Sequence, residues 1–245
     1  MITVQKVSSY YGQSPACVDI SFDAYKGEIT ALIGRNGAGK STLLKLLAGI
    51  RLPSSGSIAI CGFDTVHSQL EAKLHLGYVS ENIPLYPDMT IIEQLNFSAE
   101  MFGIPYAEGD KAVRIMIERY GLSGIAGRRI GTLSRGYRQR TAIVNALIHN
   151  PSVLLLDEAA TGLDPVQLPE FRHMLAELAT DHTIVFSTHS IHDAEQLASQ
   201  VLIMDHGKLI GRGTPEEIKK QSHTDTLESA FLCITHDMTT ISNEK

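Results

Sequence analysis

The chain has 245 residues, of which 43% are hydrophobic and 20% are charged, and its formal net charge is −6. This hydrophobic fraction excludes a disordered chain, and the negative charge argues against a protein that binds nucleic-acid phosphates non-specifically. No apolar run approaches the roughly 20 residues of a membrane helix, and the three cysteines lack metal-ligand spacing, so we expect a reduced, cytosolic chain.

The amino-terminal 60 residues predict strands around one loop. Residues 1–12 alternate apolar and polar side chains, which predicts a strand rather than a signal peptide. Residues 29–34, ITALIG, form a short apolar run typical of a buried strand, and residues 40–49, KSTLLKLLAG, have helical spacing that ends on a glycine. Between them, residues 34–42, GRNGAGKST, fit the phosphate-loop pattern G-x-x-x-x-G-K-[ST].

This loop predicts a site for nucleotide phosphates. Its glycines let backbone N–H groups converge on phosphate oxygens, and the positive end of the following helix adds to the attraction. Lys40 is expected to reach the β- and γ-phosphates, Ser41 to bind Mg²⁺, and Thr42 to donate to the α-phosphate. The predicted nucleotide-binding residues of the loop are Gly34, Arg35, Asn36, Gly37, Ala38, Gly39, Lys40, Ser41 and Thr42.

The middle of the chain predicts helices. Thr90 and Glu93 form a capping box, T-x-x-E, before a helix over residues 91–102, and further helices are predicted over 107–120 and 135–149. The last of these follows the segment TLSRGYRQR, residues 132–140. Ser134 and Gly136 offer a hydroxyl group and a bare backbone at the amino end of a helix, where the dipole favours an anion.

Two later apolar strands are predicted to end in functional residues. The run over residues 153–156 ends in Asp157 and Glu158, at the strand end where ligands bind in open α/β sheets. We expect Asp157 to hold Mg²⁺, and Glu158, on the other side of the strand, to polarise the attacking water as a general base. The run over residues 183–189 ends in His189. A hairpin turning at 205–208, a helix opening at Thr214 and a terminal helix over 227–235 follow.

With the phosphate loop, LSRGYRQR and LLLDE in this order, the chain resembles the nucleotide-binding subunits of ATP-binding cassette (ABC) transporters over nearly its whole length. The resemblance implies an α/β fold, in which a P-loop NTPase core of mostly parallel sheet carries an amino-terminal antiparallel β subdomain and an inserted helical subdomain. It divides this single ATPase domain into a core at 1–84 and 151–220, a helical subdomain at 85–150, and a carboxyl-terminal tail at 221–245.

The resemblance also implies roles for four residues outside the loop and the acidic pair. Tyr11 matches the aromatic residue that stacks on adenine, although strand packing is the alternative for this side chain. Glu81 stands where the family usually has glutamine and is expected to approach Mg²⁺ or the attacking water, unless it is a solvated loop carboxylate. His189 matches the histidine that contacts the γ-phosphate, and Asp164, in TGLDP, matches a residue at a dimer interface.

In this family the LSGGQ-like turn contacts ATP held by another subunit, so the resemblance implies that Ser134 and Gly136 act across a dimer, most simply a homodimer. Arg135 and Tyr137 depart from the usual glycine and glutamine, and whether Arg135 is neutral or adds charge to the composite site stays open. The implied ligands are ATP and Mg²⁺. The implied partner is a separate transmembrane permease, which would contact the chain near Tyr86, Pro87 and Met89. The resemblance does not imply a nucleic-acid partner.

The resemblance places the chain at the inner face of the membrane, and its ending LESAFLCIT, residues 227–235, is similar to subunits of ABC-2 exporters. Two other functions are alternatives to transport. An ABC ATPase acting on ribosomes or DNA would carry a second cassette or long coiled coils, which the sequence lacks. A regulatory module that binds ATP but barely hydrolyses it is disfavoured by the presence of Glu158, His189 and Ser134.

Overall fold

The computed structural model describes the backbone of residues 1–242 and the side chains of residues 1–235, so residues 243–245 of the predicted tail lie outside the described residues. The strands, in chain order, are β1 (Ile2–Tyr11), β2 (Ser14–Ala24), β3 (Ile29–Gly34), β4 (Ser55–Ile60), β5 (Phe63–Asp64), β6 (Leu76–Val79), β7 (Val153–Asp157), β8 (Thr183–Thr188), β9 (Gln200–Asp205) and β10 (Lys208–Gly213). The helices are α1 (Lys40–Leu47), α2 (Gln69–Leu74), α3 (Ile91–Met101), α4 (Tyr106–Arg119), α5 (Arg135–Leu147), α6 (Gln167–Ala179), α7 (Ile191–Leu197), α8 (Pro215–Gln221) and α9 (Leu227–Ser242).

The central sheet is a six-stranded sheet in the order β10-β9-β3-β8-β7-β6. Its pairings are parallel except for the β9–β10 hairpin at one edge. Every residue of β3, β7 and β8 is buried, as apolar strands covered on both faces require. Because side chains alternate along a strand, Leu154 and Leu156 enter one hydrophobic core and Val153 and Leu155 enter the other.

A second, antiparallel sheet in the order β2-β1-β4-β5 covers one face of the central sheet. Helix α1 lies between them, since its buried residues Leu43 and Leu47 share a core with Ile20 of β2 and Leu155 of β7. This layering seats the amino end of α1 against the carboxyl end of β3. The antiparallel subdomain and the mixed α/β core confirm the predicted fold class.

The other face of the sheet carries helices. Thr90 and Glu93 form the predicted capping box at the start of α3, and Thr214 opens α8 with a second one. The ends of α3, α4 and α5 lie within two residues of the predicted ends. Of the helices in the described part of the chain, none is long and apolar enough to span a bilayer.

Three helices, α2, α6 and α7, were not predicted from the sequence. Pro169 stands in the first turn of α6, where the missing N–H is tolerated, and it hides the helical pattern that follows. Helices α2 and α7 have six and seven residues, which is too short for a clear apolar period.

Candidate functional site

The carboxyl ends of β3, β7 and β8 meet at one edge of the central sheet, beside a cavity of about 590 Å³, a volume that suits a ligand of nucleotide size. Sequence-predicted residues from five separate segments come together in its walls. The lining residues are Tyr11, Pro15, Ala16, Asn36, Gly37, Gly39, Lys40, Ser41, Thr42, Glu81, Glu158, Thr161 and His189.

The phosphate loop wraps the amino end of α1. A Cβ atom at Gly39, which has φ of 104°, would lie 2.3 Å from the carbonyl oxygen of Ala16, and one at Gly34 would lie 2.4 Å from that of Met204. These glycines are therefore required by backbone packing within the chain, in addition to the phosphate access that predicted them.

Lys40 is held at the base of this loop. Its Nζ donates to the carbonyl oxygens of Gly34 at 2.7 Å and Arg35 at 3.2 Å, and the residue is only 6% exposed. Burial lowers the pKa of Lys40, while the carboxylates of Glu158, Asp157 and Glu81 oppose that shift. The ammonium group thus stands beside the carboxylates and next to the positive end of α1.

Asp157 ends β7 as a buried carboxylate with two hydroxyl donors. Ser41 Oγ donates to Asp157 Oδ1 at 3.0 Å, and Ser187 Oγ donates to the same oxygen at 2.6 Å. A hydroxyl and a carboxylate are oxygen ligands of the kind that Mg²⁺ takes together with substrate phosphates, so Ser41 and Asp157 fit the predicted metal. The predicted site did not include Ser187, and its signal was a hydroxyl-bearing residue directly after the apolar run of β8.

Glu158 differs from its prediction. It was expected on the other side of the strand from Asp157, but β7 ends at Asp157 and Glu158 has a left-handed φ of 51°. Its N–H donates to Ser187 Oγ at 2.9 Å, which fixes this turn of the backbone. The carboxylate thereby lines the cavity, with Oε1 3.9 Å from Lys40 Nζ.

Two side chains hold the Glu158 carboxylate from the other side. Oε2 accepts a hydrogen bond from Thr161 Oγ1 at 2.8 Å and lies 2.7 Å from His189 Nδ1. His189 remains largely exposed, so its ring lies between the carboxylate and the mouth of the cavity. Thr161 belongs to the TGLDP segment, but no role was predicted for it.

Tyr11 and Glu81 lie at the rim. Tyr11 lines the cavity with its side chain half exposed, whereas Tyr10 does not line it. Glu81 is exposed and lines the cavity as well. Its charge also reaches Tyr78, whose pKa is raised mainly by burial and further by Asp157 and Glu81.

The LSRGY segment, residues 133–137, is called the signature turn below, and it lies elsewhere on the chain. Ser134 caps α5, its Oγ accepting from the N–H of Tyr137 at 3.5 Å, and neither Ser134 nor Gly136 is among the described residues that line the cavity. A Cβ atom at Gly136 would lie 2.2 Å from Gln167 Oε1. A side chain at position 136 would therefore displace the amide group of Gln167, so Gly136 and the start of α6 pack closely.

Arg135 points toward the loop that follows Glu158. A Cβ atom at Gly162, which has φ of 76°, would lie 2.6 Å from Arg135 Cζ, so the guanidinium group covers this glycine. Asp164, two residues on, accepts hydrogen bonds from the N–H groups of Val166 and Gln167 at 3.0 and 2.9 Å. The signature turn and the TGLDP loop therefore touch each other within one chain.

Comparisons with known proteins agree with this arrangement. Residues 17–161 match the family described as ABC transporter. The chain is 34% identical over 216 residues to the ABC transporter ATP-binding protein NatA of Bacillus subtilis, covering 87% of this chain and 88% of NatA. It is 33% identical over 243 residues to the probable multidrug ABC transporter ATP-binding protein YbhF of Escherichia coli. This match covers 97% of this chain but only 42% of YbhF. A solved structure of the ATP binding subunit of an ABC transporter superposes with a TM-score of 0.87 at 27% identity, covering 96% of this chain and 99% of that one.

Proposed function

Since the chain belongs to the ABC transporter family and carries its ATP-binding ATPase domain, we propose that the cavity binds MgATP and hydrolyses it to drive transport by a separate membrane protein. The observation that carries this proposal is the cluster of Lys40, Asp157, Glu158 and His189 around one cavity. Within the domain, the core comprises residues 1–84 and 151–220, the helical subdomain 85–150 and the tail 221–245.

The phosphates bind at the amino end of α1. Backbone N–H groups of the loop and Lys40 hold the phosphate oxygens, with Thr42 at the α-phosphate. Ser41 and Asp157 would hold Mg²⁺, with Glu81 near it, and the bound ion would neutralise charge on the phosphates. Tyr11 stacks on the adenine.

Hydrolysis is carried out by the pair Glu158 and His189. Water attacks the γ-phosphorus, the bond to the β–γ bridging oxygen breaks, and the water proton passes to the Glu158 carboxylate. His189 Nδ1 and Thr161 Oγ1 hold that carboxylate in place, since both lie within 2.8 Å of Oε2. The exposed edge of His189 is left to contact the γ-phosphate.

Two copies complete each site. Ser134 and Gly136 stand at the amino end of α5, away from the residues of their own cavity. We assign them to the γ-phosphate of ATP held by a second subunit, in a head-to-tail homodimer with Asp164 at the interface.

The membrane partner docks on a second cavity, of about 450 Å³, between α2, α3 and β6. Its rim carries exposed apolar side chains, among them Ile50, Leu70, Leu74 and Met101. An apolar groove on this scale suits a helix of a partner protein, and strand β6 links it to Glu81 two residues beyond its end. Tyr86, one of the predicted permease contacts, packs edge-on against Phe97 of α3.

The Nod factor export ATP-binding protein I of Cupriavidus pinatubonensis, 32% identical over 234 residues, supports export as the direction. We place the chain at the inner face of the membrane through its permease. Steady-state phosphate release by the purified chain tests the ATPase. A chain that binds ATP without measurable phosphate release, alone and with co-purified membrane protein, would favour the regulatory module over the transporter subunit.

A further inference from the structure

Arg51 lies behind the aromatic ring at the rim of the cavity. Its guanidinium carbon is 3.9 Å from the centroid of the Tyr11 ring, a distance typical of cation–π stacking. The chain reaches this point just after α1, on its way from Gly49 to β4. Nothing in the phosphate-loop pattern gives position 51 a role.

Two hydrogen bonds fix the guanidinium group to the strand that carries Tyr11. Arg51 Nε donates to Ser9 Oγ at 2.7 Å, and its Nη2 donates to the carbonyl oxygen of Tyr10. Ser9 is fully buried, so this hydrogen bond anchors the guanidinium group to a buried position of β1. The plane of the guanidinium group is therefore set by residues immediately before Tyr11.

One face of the Tyr11 ring is thus taken by a cation, which leaves the other for a ligand. Tyr11 is 51% exposed and lines the nucleotide cavity, whereas Arg51 is not among the described residues that line it. A half-exposed tyrosine at the end of a strand would otherwise sample several rotamers. Binding of a base would then have to restrict the side chain to one of them, which costs conformational entropy.

We propose that Arg51 is a positioning residue for nucleobase binding, which presupposes the ATP site proposed above. The guanidinium group stacks on one face of the Tyr11 ring and fixes its orientation. A purine then stacks on the opposite, free face of the ring. Arg51 should strengthen the binding only of ligands that carry a base. Its two hydrogen bonds go to Ser9 and Tyr10 of β1, and neither goes to the phosphate loop.

The test compares two ligands across a mutant cycle. Dissociation constants for ATP and for inorganic tripolyphosphate, both with Mg²⁺, are measured for the wild type, Arg51→Leu, Tyr11→Ala and the double variant. We expect Arg51→Leu to weaken ATP about three- to fivefold and to leave tripolyphosphate unchanged. Tyr11→Ala should weaken ATP about tenfold, and adding Arg51→Leu to it should change nothing more.

Arg212→Leu is the matched control, because Arg212 is an exposed arginine on β10. If Arg51→Leu does not fold, Arg51→Lys replaces it, since lysine keeps the charge but lacks the planar fork that binds Ser9 and Tyr10. Unchanged ATP binding, equal losses for both ligands, or additive losses in the double variant would each overturn the role of Arg51. A wild type that binds ATP no more tightly than tripolyphosphate would instead overturn adenine stacking in the proposed function.

Discussion

The cavity at the sheet edge and the signature turn both place polar side chains at the amino end of a helix. They differ in how many hydrogen-bond partners these side chains find within their own chain. In the cavity, every proposed catalytic group has a partner in its own chain: Lys40 on loop carbonyls, Asp157 on Ser41 and Ser187, and Glu158 on Thr161 and His189. At the signature turn, Ser134 makes one long contact with the N–H of Tyr137, and its residue is exposed.

This difference shows where the chain fixes its own geometry and where it leaves a contact for a partner. Buried groups joined by hydrogen bonds need no second subunit to reach their places. A helix amino terminus with an exposed serine presents N–H groups outward, which suits an anion supplied by another molecule. Substitutions in the first region should therefore affect the chain that carries them, and substitutions in the second should affect its partner.

The largest expected effect comes from Glu158→Gln. Removing the proton acceptor should lower the rate of phosphate release by at least about 100-fold, while ATP binding persists and a dimer accumulates. Turnover is measured by phosphate release and the dimer by size-exclusion chromatography with ATP. Glu118→Gln, on the exposed face of α4, is the control and should behave as the wild type. Unchanged turnover in Glu158→Gln would remove this residue from the chemistry.

Ser134→Arg should also lower the rate of phosphate release by about 100-fold. The bulky side chain would block the approach of the γ-phosphate of ATP bound to the second subunit. ATP binding to the variant itself should be normal, because Ser134 is not among the described residues that line its own cavity. Ser123→Arg, at another exposed serine of the helical subdomain, should have little effect.

Mixing variants separates the two regions directly. Ser134→Arg and Lys40→Ala should each be inactive alone, but a mixed dimer pairs an intact loop with an intact signature turn at one of its two sites. Phosphate release should therefore recover in part on mixing. A mixture as inactive as its components would contradict the head-to-tail arrangement.

A smaller loss is expected for Thr161→Val, which keeps the shape of the side chain but removes the hydroxyl that donates to Glu158. We expect kcat to fall about three- to tenfold with KM for ATP little changed, as one hydrogen bond to a charged group would give. Thr180→Val, which removes a hydroxyl bonded to a backbone carbonyl at the end of α6, is the comparison. A change confined to KM would show that Thr161 binds nucleotide instead of holding the carboxylate.

The smallest effect is expected for Arg135→Gly. Because the guanidinium group lies over Gly162 of its own chain, its loss should change turnover by no more than about threefold. The assay is phosphate release over a range of ATP concentrations. If this variant were inactive, Arg135 would be a phosphate ligand, and its contact with Gly162 would be incidental.

Local patterns predicted the parts of the molecule that depend on neighbouring residues. The loop before α1, the capping box at Thr90 and the buried strands follow from spacing and side-chain type alone, and the family membership they indicated is confirmed. The roles of the individual site residues remain predictions that the variants above would test.

Contacts between distant segments could not be predicted in this way. Ser187 and Arg51 act on residues 30 and 41 positions away, and such pairs form only once β7 lies beside β8 and the chain after α1 returns to β1. The left-handed backbone at Glu158 has the same origin, since it is stabilised by the bond from its N–H to Ser187. Pattern reasoning placed the carboxylate at the carboxyl end of β7, but it assumed that the strand continues through Glu158.

The contact between Arg135 and Gly162 also limits how this turn could be moved by protein engineering. A side chain at the position of Gly162 would displace the guanidinium group of Arg135, and a residue other than glycine would resist the φ of 76°. The five residues of the LSRGY turn therefore cannot be transferred to another protein by themselves. A chimaera that receives it would need the TGLDP loop of the same parent, so the two segments should be exchanged together.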